Sequence, residues 1–137
     1  MNGGREFVWP VRVYWEDTDA AGVVYYANYL KFMERARTEW LRELGVAQET
    51  LRDQDGRMFV VRRAEVNYRQ PARYGEELQV VSRIAEHTPA RLVFQQQVRL
   101  SGAGMLLVEG VVEVVCVSAQ TFRPARMPGW LQQLLDR

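Results

Sequence analysis

The chain is poor in the residues that most enzymes use for catalysis. Its 137 residues include one cysteine, Cys116, and one histidine, His87. One cysteine excludes an internal disulfide and fits a reducing compartment. Cys116 falls in a valine-rich strand pattern, where a small buried hydrophobe is the expected role. One histidine excludes a Ser-His-Asp triad built on the Asp-rich segment, because His87 falls in a turn-like stretch, Glu86-His87-Thr88-Pro89, far along the chain. Cys116 and His87 have no zinc-ligand spacing. No uncharged apolar run reaches the roughly 18 residues of a membrane span. The longest apolar stretch, near Met105–Val117, is broken by Glu109 and Glu113. The first ten residues carry no apolar leader core, so a cytoplasmic protein with no membrane insertion is expected.

Excess charge is absent too. The net charge of +1 gives no broad attraction to nucleic acid or to an anionic membrane. The basic residues are 17 arginines and the single Lys31. Arginine suits bidentate phosphate recognition, although genomic base composition produces the same bias. What is abundant is hydrophobic residues, 47% of the chain, enough for a packed core in a single domain over residues 1–137.

Phe7–Trp15 alternates as a half-buried strand, with Val11, Val13 and Trp15 on one face. Pro10 predicts an edge position or a late start to its ladder. From about Ala27 to Leu44 a helix is expected: Tyr26, Tyr29, Leu30, Met33, Ala36, Trp40, Leu41 and Leu44 recur at helical spacing, and Gly45 closes the segment. Leu51–Gly56 reads as a weaker helical turn. Four strand patterns follow, at Met58–Tyr68, Glu77–Glu86, Arg91–Leu100 and Met105–Val117; short turns join the last three into antiparallel neighbours. A short helix is expected from about Pro128 in the Arg126–Arg137 tail. The order predicts an α+β protein, one long helix packed on a five-stranded antiparallel sheet. Such a small layer pair often completes its burial with a second copy of itself.

Between the first strand and the long helix lies Glu16-Asp17-Thr18-Asp19-Ala20-Ala21-Gly22-Val23-Val24-Tyr25-Tyr26-Ala27-Asn28-Tyr29. A calcium loop fits poorly: Ala21 and Asn28 stand where ligands five and twelve belong, so no metal is expected. A solvated turn leading into a helix start explains the acids but not the apolar run after Gly22. A catalytic carboxylate is the other reading. An aspartate and the free N–H groups of a helix start, brought together by a tight turn at Gly22, suffice to hydrolyse an activated acyl group.

The segment R-V-Y-W-E-D-T-D-A-A-G-V-V-Y-Y-A-N-Y, running into K-F-M-E-R-A-R-T-E-W-L, resembles the 4-hydroxybenzoyl-CoA thioesterase family of hotdog-fold enzymes. It is most similar to the acyl-CoA thioesterases associated with the bacterial Tol–Pal envelope system. The likeness continues through F-V-V-R-R-A-E-V-N-Y-R-Q-P-A-R-Y-G-E-E-L, L-V-F-Q-Q-Q-V and V-E-V-V-C-V. The resemblance implies a sheet curled around one helix, hydrolysis of an acyl-CoA thioester, Asp19 as base or nucleophile, and the backbone N–H of Tyr26 as the carbonyl-polarising donor. It also implies a site at a homodimer interface, with dimers pairing into homotetramers, and no cofactor besides the coenzyme A of the substrate. Asp17 is expected to support the loop. Many Tol–Pal-associated relatives carry histidine where this chain has Tyr26, so no imidazole assists here. Arg91 is a candidate for the coenzyme A phosphates, with Arg62, Arg63, Arg69 and Arg73 as others. Gly22, Phe59, Val60 and Val61 are candidate substrate-contacting positions. Two further readings stand beside the thioesterase: a dehydratase of 3-hydroxyacyl thioesters, which lacks its usual histidine here, and a non-catalytic scaffold subunit of an envelope complex.

Overall fold

Apolar side chains at every second residue fold as strands, and the segment with helical spacing folds as the long helix that those strands wrap. The computed structural model describes residues 5–136. The leader and tail expectations reach residues 1–4 and 137, which lie outside the described residues. The elements are β1 (Phe7–Arg12), a 3-10 turn (Trp15–Asp17), α1 (Asn28–Glu43), α2 (Gln48–Asp55), β2 (Arg57–Tyr68), β3 (Glu77–Thr88), β4 (Arg91–Leu100), β5 (Leu106–Ser118) and α3 (Gly129–Leu135). The five strands form one antiparallel sheet in the order β1-β3-β4-β5-β2. Consecutive strands β1 and β2 therefore occupy opposite edges. The connection between them, α1 and α2, has to cross the sheet, and α1 fills its concave face.

Burial explains the seating of α1. Phe32, Met33 and Ala36 are fully buried, and Trp40 lies between Phe7 and Phe94, with ring centroids 5.9 and 6.1 Å away. Each large apolar side chain buried this way contributes about 1.5–3 kcal/mol. The helix and β2 close in on Gly110, where an added Cβ would stand 3.3 Å from the Met33 methyl and 3.0 Å from the Glu65 carbonyl oxygen. A side chain there would push α1 and β2 away from β5.

Several sequence expectations are corrected. The first strand ends at Arg12 rather than Trp15, because its partner β3 begins at Glu77 and the Asp17 carboxylate draws the Tyr14 N–H into the 3-10 turn. Trp15 is consequently 72% exposed instead of lying on the buried face with Val13. Leu30 is also exposed, since it shares a flank of α1 with Glu34 rather than the sheet-facing stripe. The weak turn at Leu51–Gly56 is a full helix from Gln48. His87 is not a free turn residue: β3 runs on to Thr88, and the His87 imidazole stands 3.2 Å from the Asp136 carboxylate. Pro10 sits within β1, which is tolerated because β1 is an edge.

Candidate active site

The acidic loop is a small hairpin. Thr18 and Val24 form an antiparallel bridge, and the Asp19 N–H donates to the Val23 carbonyl at 2.9 Å. The Gly22 N–H closes the turn on the Asp19 carbonyl at 3.0 Å, with Gly22 at φ 81°, a conformation that side chains resist. The second arm is clamped to the segment after β2. The Val24 N–H donates to the Ala72 carbonyl, and Val23 bridges Arg73.

Asp17 and Asp19 have different surroundings. Asp17 is buried: its two carboxylate oxygens accept from the Tyr14 N–H and from the Asn28 amide, both at 2.8 Å. Its carbonyl accepts from the Tyr25 N–H at 2.9 Å. One residue thus ties the end of β1, the returning arm of the hairpin and the first residue of α1 together. Asp19, at the hairpin tip, is exposed. Its Oδ1 accepts from the Ala21 N–H at 2.9 Å, and among the described residues Oδ2 has no partner. A carboxylate with one oxygen held and one free is oriented and still able to accept a proton or attack a carbon.

Tyr25–Asn28 turn into α1, the Asn28 N–H donating to the Tyr25 carbonyl at 2.8 Å. Tyr26 is inside this turn, just ahead of the helix. No side chain caps Ala27, and among the described residues the N–H groups of Tyr26 and Ala27 have no acceptor. The Thr18–Val24 bridge brings the two arms of the hairpin within about 5 Å, and counting residues from it puts the backbone of Asp19 on the order of 10 Å from the Tyr26 amide.

In front of Tyr26 opens a cleft of about 240 Å³ lined by Val24, Tyr26, Tyr29, Tyr68, Arg69, Gln70 and Pro71. The Tyr68 ring packs edge-on to Tyr26, with centroids 6.2 Å apart, and tilted against Tyr29 at 5.7 Å, and its hydroxyl donates to the Tyr26 carbonyl at 3.2 Å. Tyr29 accepts from the Ala72 N–H at 3.0 Å. Burial pushes the Tyr29 phenol up; the Ala72 bond opposes this, while Tyr68, Glu76 and Asp19 add smaller upward pushes. The Asp19 charge is therefore within electrostatic reach of the cleft. Burial also raises Tyr68, so both phenols stay neutral donors at physiological pH. The cleft has an aromatic wall of Tyr26, Tyr29 and Tyr68 beside the free Tyr26 amide, an arrangement suited to an apolar acyl group whose carbonyl meets that amide.

A profile of the Thioesterase-like superfamily matches residues 13–135. The chain belongs to this superfamily. It is 42% identical over 122 residues to a Haemophilus influenzae protein named acyl-CoA thioesterase YbgC, covering 89% of this chain and 88% of that one. It is 44% identical to an acyl-CoA thioester hydrolase YbgC of Escherichia coli O6:H1, covering 89% and 90%. The crystal structure of a probable thioesterase from Bartonella henselae superposes with a TM-score of 0.84 at 35% identity, covering 90% of this chain and 99% of that one. A 1,4-dihydroxy-2-naphthoyl-CoA thioesterase from Synechocystis shares the fold at a TM-score of 0.88 and 23% identity, covering 96% of each chain. The sheet curled around α1 is the hotdog fold of these thioesterases.

Within this hotdog domain the remaining sequence candidates scatter. Gly22 shapes the Asp19 turn. Phe59 and Val61 lie on the α1 side of β2, where they border a second, smaller cavity, and Val60 alternates to the other face. Arg91 is not brought to the Asp19 loop. It pairs in register with Val115, which pairs with Val60, some eight residues along β2 from Tyr68. Its guanidinium is engaged by Glu86 and, at 2.6 Å, by Glu113, which also binds Arg62 at 3.1 Å. Arg63 pairs with Glu65 and Arg69 with Glu109. The Arg73 side chain has no acceptor among the described residues and flanks the Asp19 hairpin. Sequence reasoning passed over Asn28, Tyr68 and the buried Arg37. Asn28 stands eleven residues from Asp17, a spacing that carries no local signal. Among the described residues no cluster of three or more metal-ligating side chains occurs, and no helix is long and apolar enough to cross a membrane.

Proposed function

We propose that this protein hydrolyses acyl-CoA thioesters to a free acid and coenzyme A, with Asp19 and the Tyr26 amide as its reacting groups. The observation that carries the reading is the half-held Asp19 carboxylate on a hairpin locked by Asp17 to the uncapped start of α1. The acyl group occupies the tyrosine cleft, and its carbonyl oxygen accepts from the Tyr26 N–H. Asp19 takes a proton from the attacking water, the oxyanion is held by the amide, and collapse expels the thiolate, which receives the proton. The same carboxylate can instead attack directly and form a mixed anhydride that water then opens. An oriented backbone donor lowers such a barrier by about 2.7–4 kcal/mol. The names of the two YbgC relatives support the substrate class.

The reading includes a homodimer. β2 is a 12-residue edge strand, and its residues Val61–Glu65 are exposed without a break. A long uncovered edge invites strand pairing. Antiparallel pairing of β2 with its copy about a two-fold axis near Arg63 would set Phe59 level with the partner's Asn67. Phe59 and Val61 of one subunit would then approach the cleft of the other. Pairing of dimers into a homotetramer is the larger assembly this reading allows. Phosphate binding at Arg91 would have to compete with its pairs to Glu113 and Glu86.

Asp19→Asn tests the assignment, with thiol release followed over a panel of acyl-CoAs. A loss of roughly 10²–10⁴-fold in kcat is expected in a protein with an unchanged melting curve. Turnover within threefold of the parent would refute the role of Asp19, and absence of thiol release by the parent with every acyl-CoA would refute the activity. A single turnover in ¹⁸O water separates the two chemical routes, since label enters the Asp19 carboxylate only through the anhydride.

A further inference from the structure

Midway along α1 the fold buries a positive charge with no negative partner. Arg37 is 9% exposed, and among the described residues no carboxylate forms an ion pair with it. Its Nη1 donates to the Gln96 Oε1 at 2.9 Å. Gln96 is itself buried and cannot turn away: its amide donates to the Met33 carbonyl at 3.0 Å and to the Ser82 hydroxyl at 2.9 Å. The guanidinium carbon stands 5.9 Å from the centre of the Phe94 ring. Burial lowers the Arg37 pKa, the direction expected of a cation taken from water; exposed Glu34, one turn earlier, partly opposes it. Guanidinium carries five N–H donors, and only one has an acceptor among the described residues.

Arg37 borders the cavity between α1 and β2, about 80 Å³ in volume, room for several water-sized groups. Phe59, Val61, Leu92, Phe94 and Val114 form an apolar side of its wall, opposite the polar groups of α1. A second donor converges there. The Thr38 oxygen accepts from the Gln48 amide at 3.3 Å, which leaves its hydroxyl proton free, and Thr38 and Gln48 both line the cavity. Glu34 reaches its mouth from the exposed flank of α1. Within one subunit the cavity, at the Phe59 end of β2, stands about 30 Å from the tyrosine cleft at the Tyr68 end. In the β2–β2 pairing of the proposed dimer the Phe59 end meets the other end of the partner's β2, so the cavity faces the cleft of the partner subunit.

We propose that this cavity is a carboxylate subsite for the distal end of the acyl group, with Arg37 as its anchor and Thr38 as a second donor. A carboxylate on a short methylene stem fits both parts: the planar fork of the guanidinium matches its two oxygens, and the apolar walls take the stem. A wholly hydrocarbon acyl end would leave the guanidinium buried and unpaired. The preferred substrates are therefore mono-thioesters of dicarboxylic acids. The inference rests on the thioesterase reading and assigns its substrate class.

The test compares CoA thioesters of dicarboxylic acids from succinyl upwards with isosteres in which the free carboxylate is replaced by an isopropyl end. At the fitting length the dicarboxylic member should have a kcat/KM about 10–100-fold higher, the usual worth of a hydrogen bond to a charged group. Arg37→Met should abolish that ratio, and Arg37→Lys should keep part of it. Removing Arg37 orphans Gln96 and can weaken the fold, so the parent's own ratio is a test independent of any variant. Hydrolysis by the parent with a ratio under threefold at every length would overturn this inference and leave the thioesterase reading intact. So would a folded Arg37→Met variant with an unchanged ratio. Failure to hydrolyse any acyl-CoA would overturn both.

Discussion

The bond between Asp17 and Asn28 supplies a sharp test, because donor and acceptor can be exchanged without changing shape. Asn28→Asp would face one buried carboxylate with another across the present 2.8 Å contact. It removes a hydrogen bond to a charged acceptor, worth about 1.5–3 kcal/mol, and adds like-charge repulsion, so a loss of about 3 kcal/mol is expected. Asp17→Asn alone is milder. Its oxygen still accepts from the Tyr14 N–H, and the Asn28 amide can flip to accept from the new amide, at a cost of about 1–2 kcal/mol for the lost charge assistance. In the double exchange the amide at position 17 accepts from Tyr14 and donates to the carboxylate at position 28. That carboxylate also lies at the positive end of α1, worth a further 0.3–1 kcal/mol or about that. The pair should return to within about 1 kcal/mol of the parent, a coupling of at least about 2 kcal/mol in the mutant cycle. Urea denaturation of the four proteins measures it; additivity within about 0.5 kcal/mol would show that the contact does not hold the loop. Acyl-CoA hydrolysis should follow the same order, since Asp19 is aimed by the hairpin that Asp17 locks.

Three other outcomes follow from single features. Gly22→Ala, at φ 81° with nothing within 4 Å of an added Cβ, should cost about 1–2 kcal/mol from backbone strain alone and lower kcat by shifting the Asp19 turn; an unchanged melting curve would contradict this. The buried Cys116 thiol is pushed up by burial, so a thiol reagent at neutral pH should label it only after unfolding, and labelling of the native protein at the unfolded rate would contradict its burial. Arg91, with help from Arg62, holds the Glu113 carboxyl below its usual 4.5. That contribution is present above this pH and is lost as pH falls through the folded value, so Glu113→Gln should flatten the loss of stability below about pH 4.5.

The legibility of this chain followed period and spacing. Strand β4 was readable to the residue because Leu92, Phe94 and Val98 alternate with polar neighbours, and α1 to within a residue because its apolar stripe ends at a glycine. The edge position of β2 was not readable. Its burial pattern is set by which strand it pairs with, and that depends on α1 crossing the whole sheet. The end of β1 was not readable because it is set by where β3 begins, at Glu77, and by the Asp17 carboxylate drawing the Tyr14 N–H into a turn. Arg37 was hidden for a related reason. Its burial depends on Gln96 and Ser82, on two other strands, and no helical pattern announces a buried arginine. In the loop, residue type alone left Asp17 and Asp19 interchangeable; burial separates them.

A bare helix start is weak evidence of function by itself, since α2 and α3 also begin without a capping side chain. What distinguishes α1 is that cap-forming side chains are at hand and are used elsewhere. Asp17 and Asn28 flank its first turn, yet each binds the other instead of the free amides. Ala27, at φ −72° and ψ −17°, is already helical, so no side chain at that position could fold back as a cap. The Tyr26 and Ala27 donors are left open beside the tyrosine cleft, and the hairpin that leads into them carries Asp19. For stability alone, pointing Asp17 at those amides would satisfy them and anchor the hairpin at once. The chain instead invests a buried carboxylate in holding an exposed one near uncapped donors, a departure from local consistency of the kind that marks a reacting site rather than a turn.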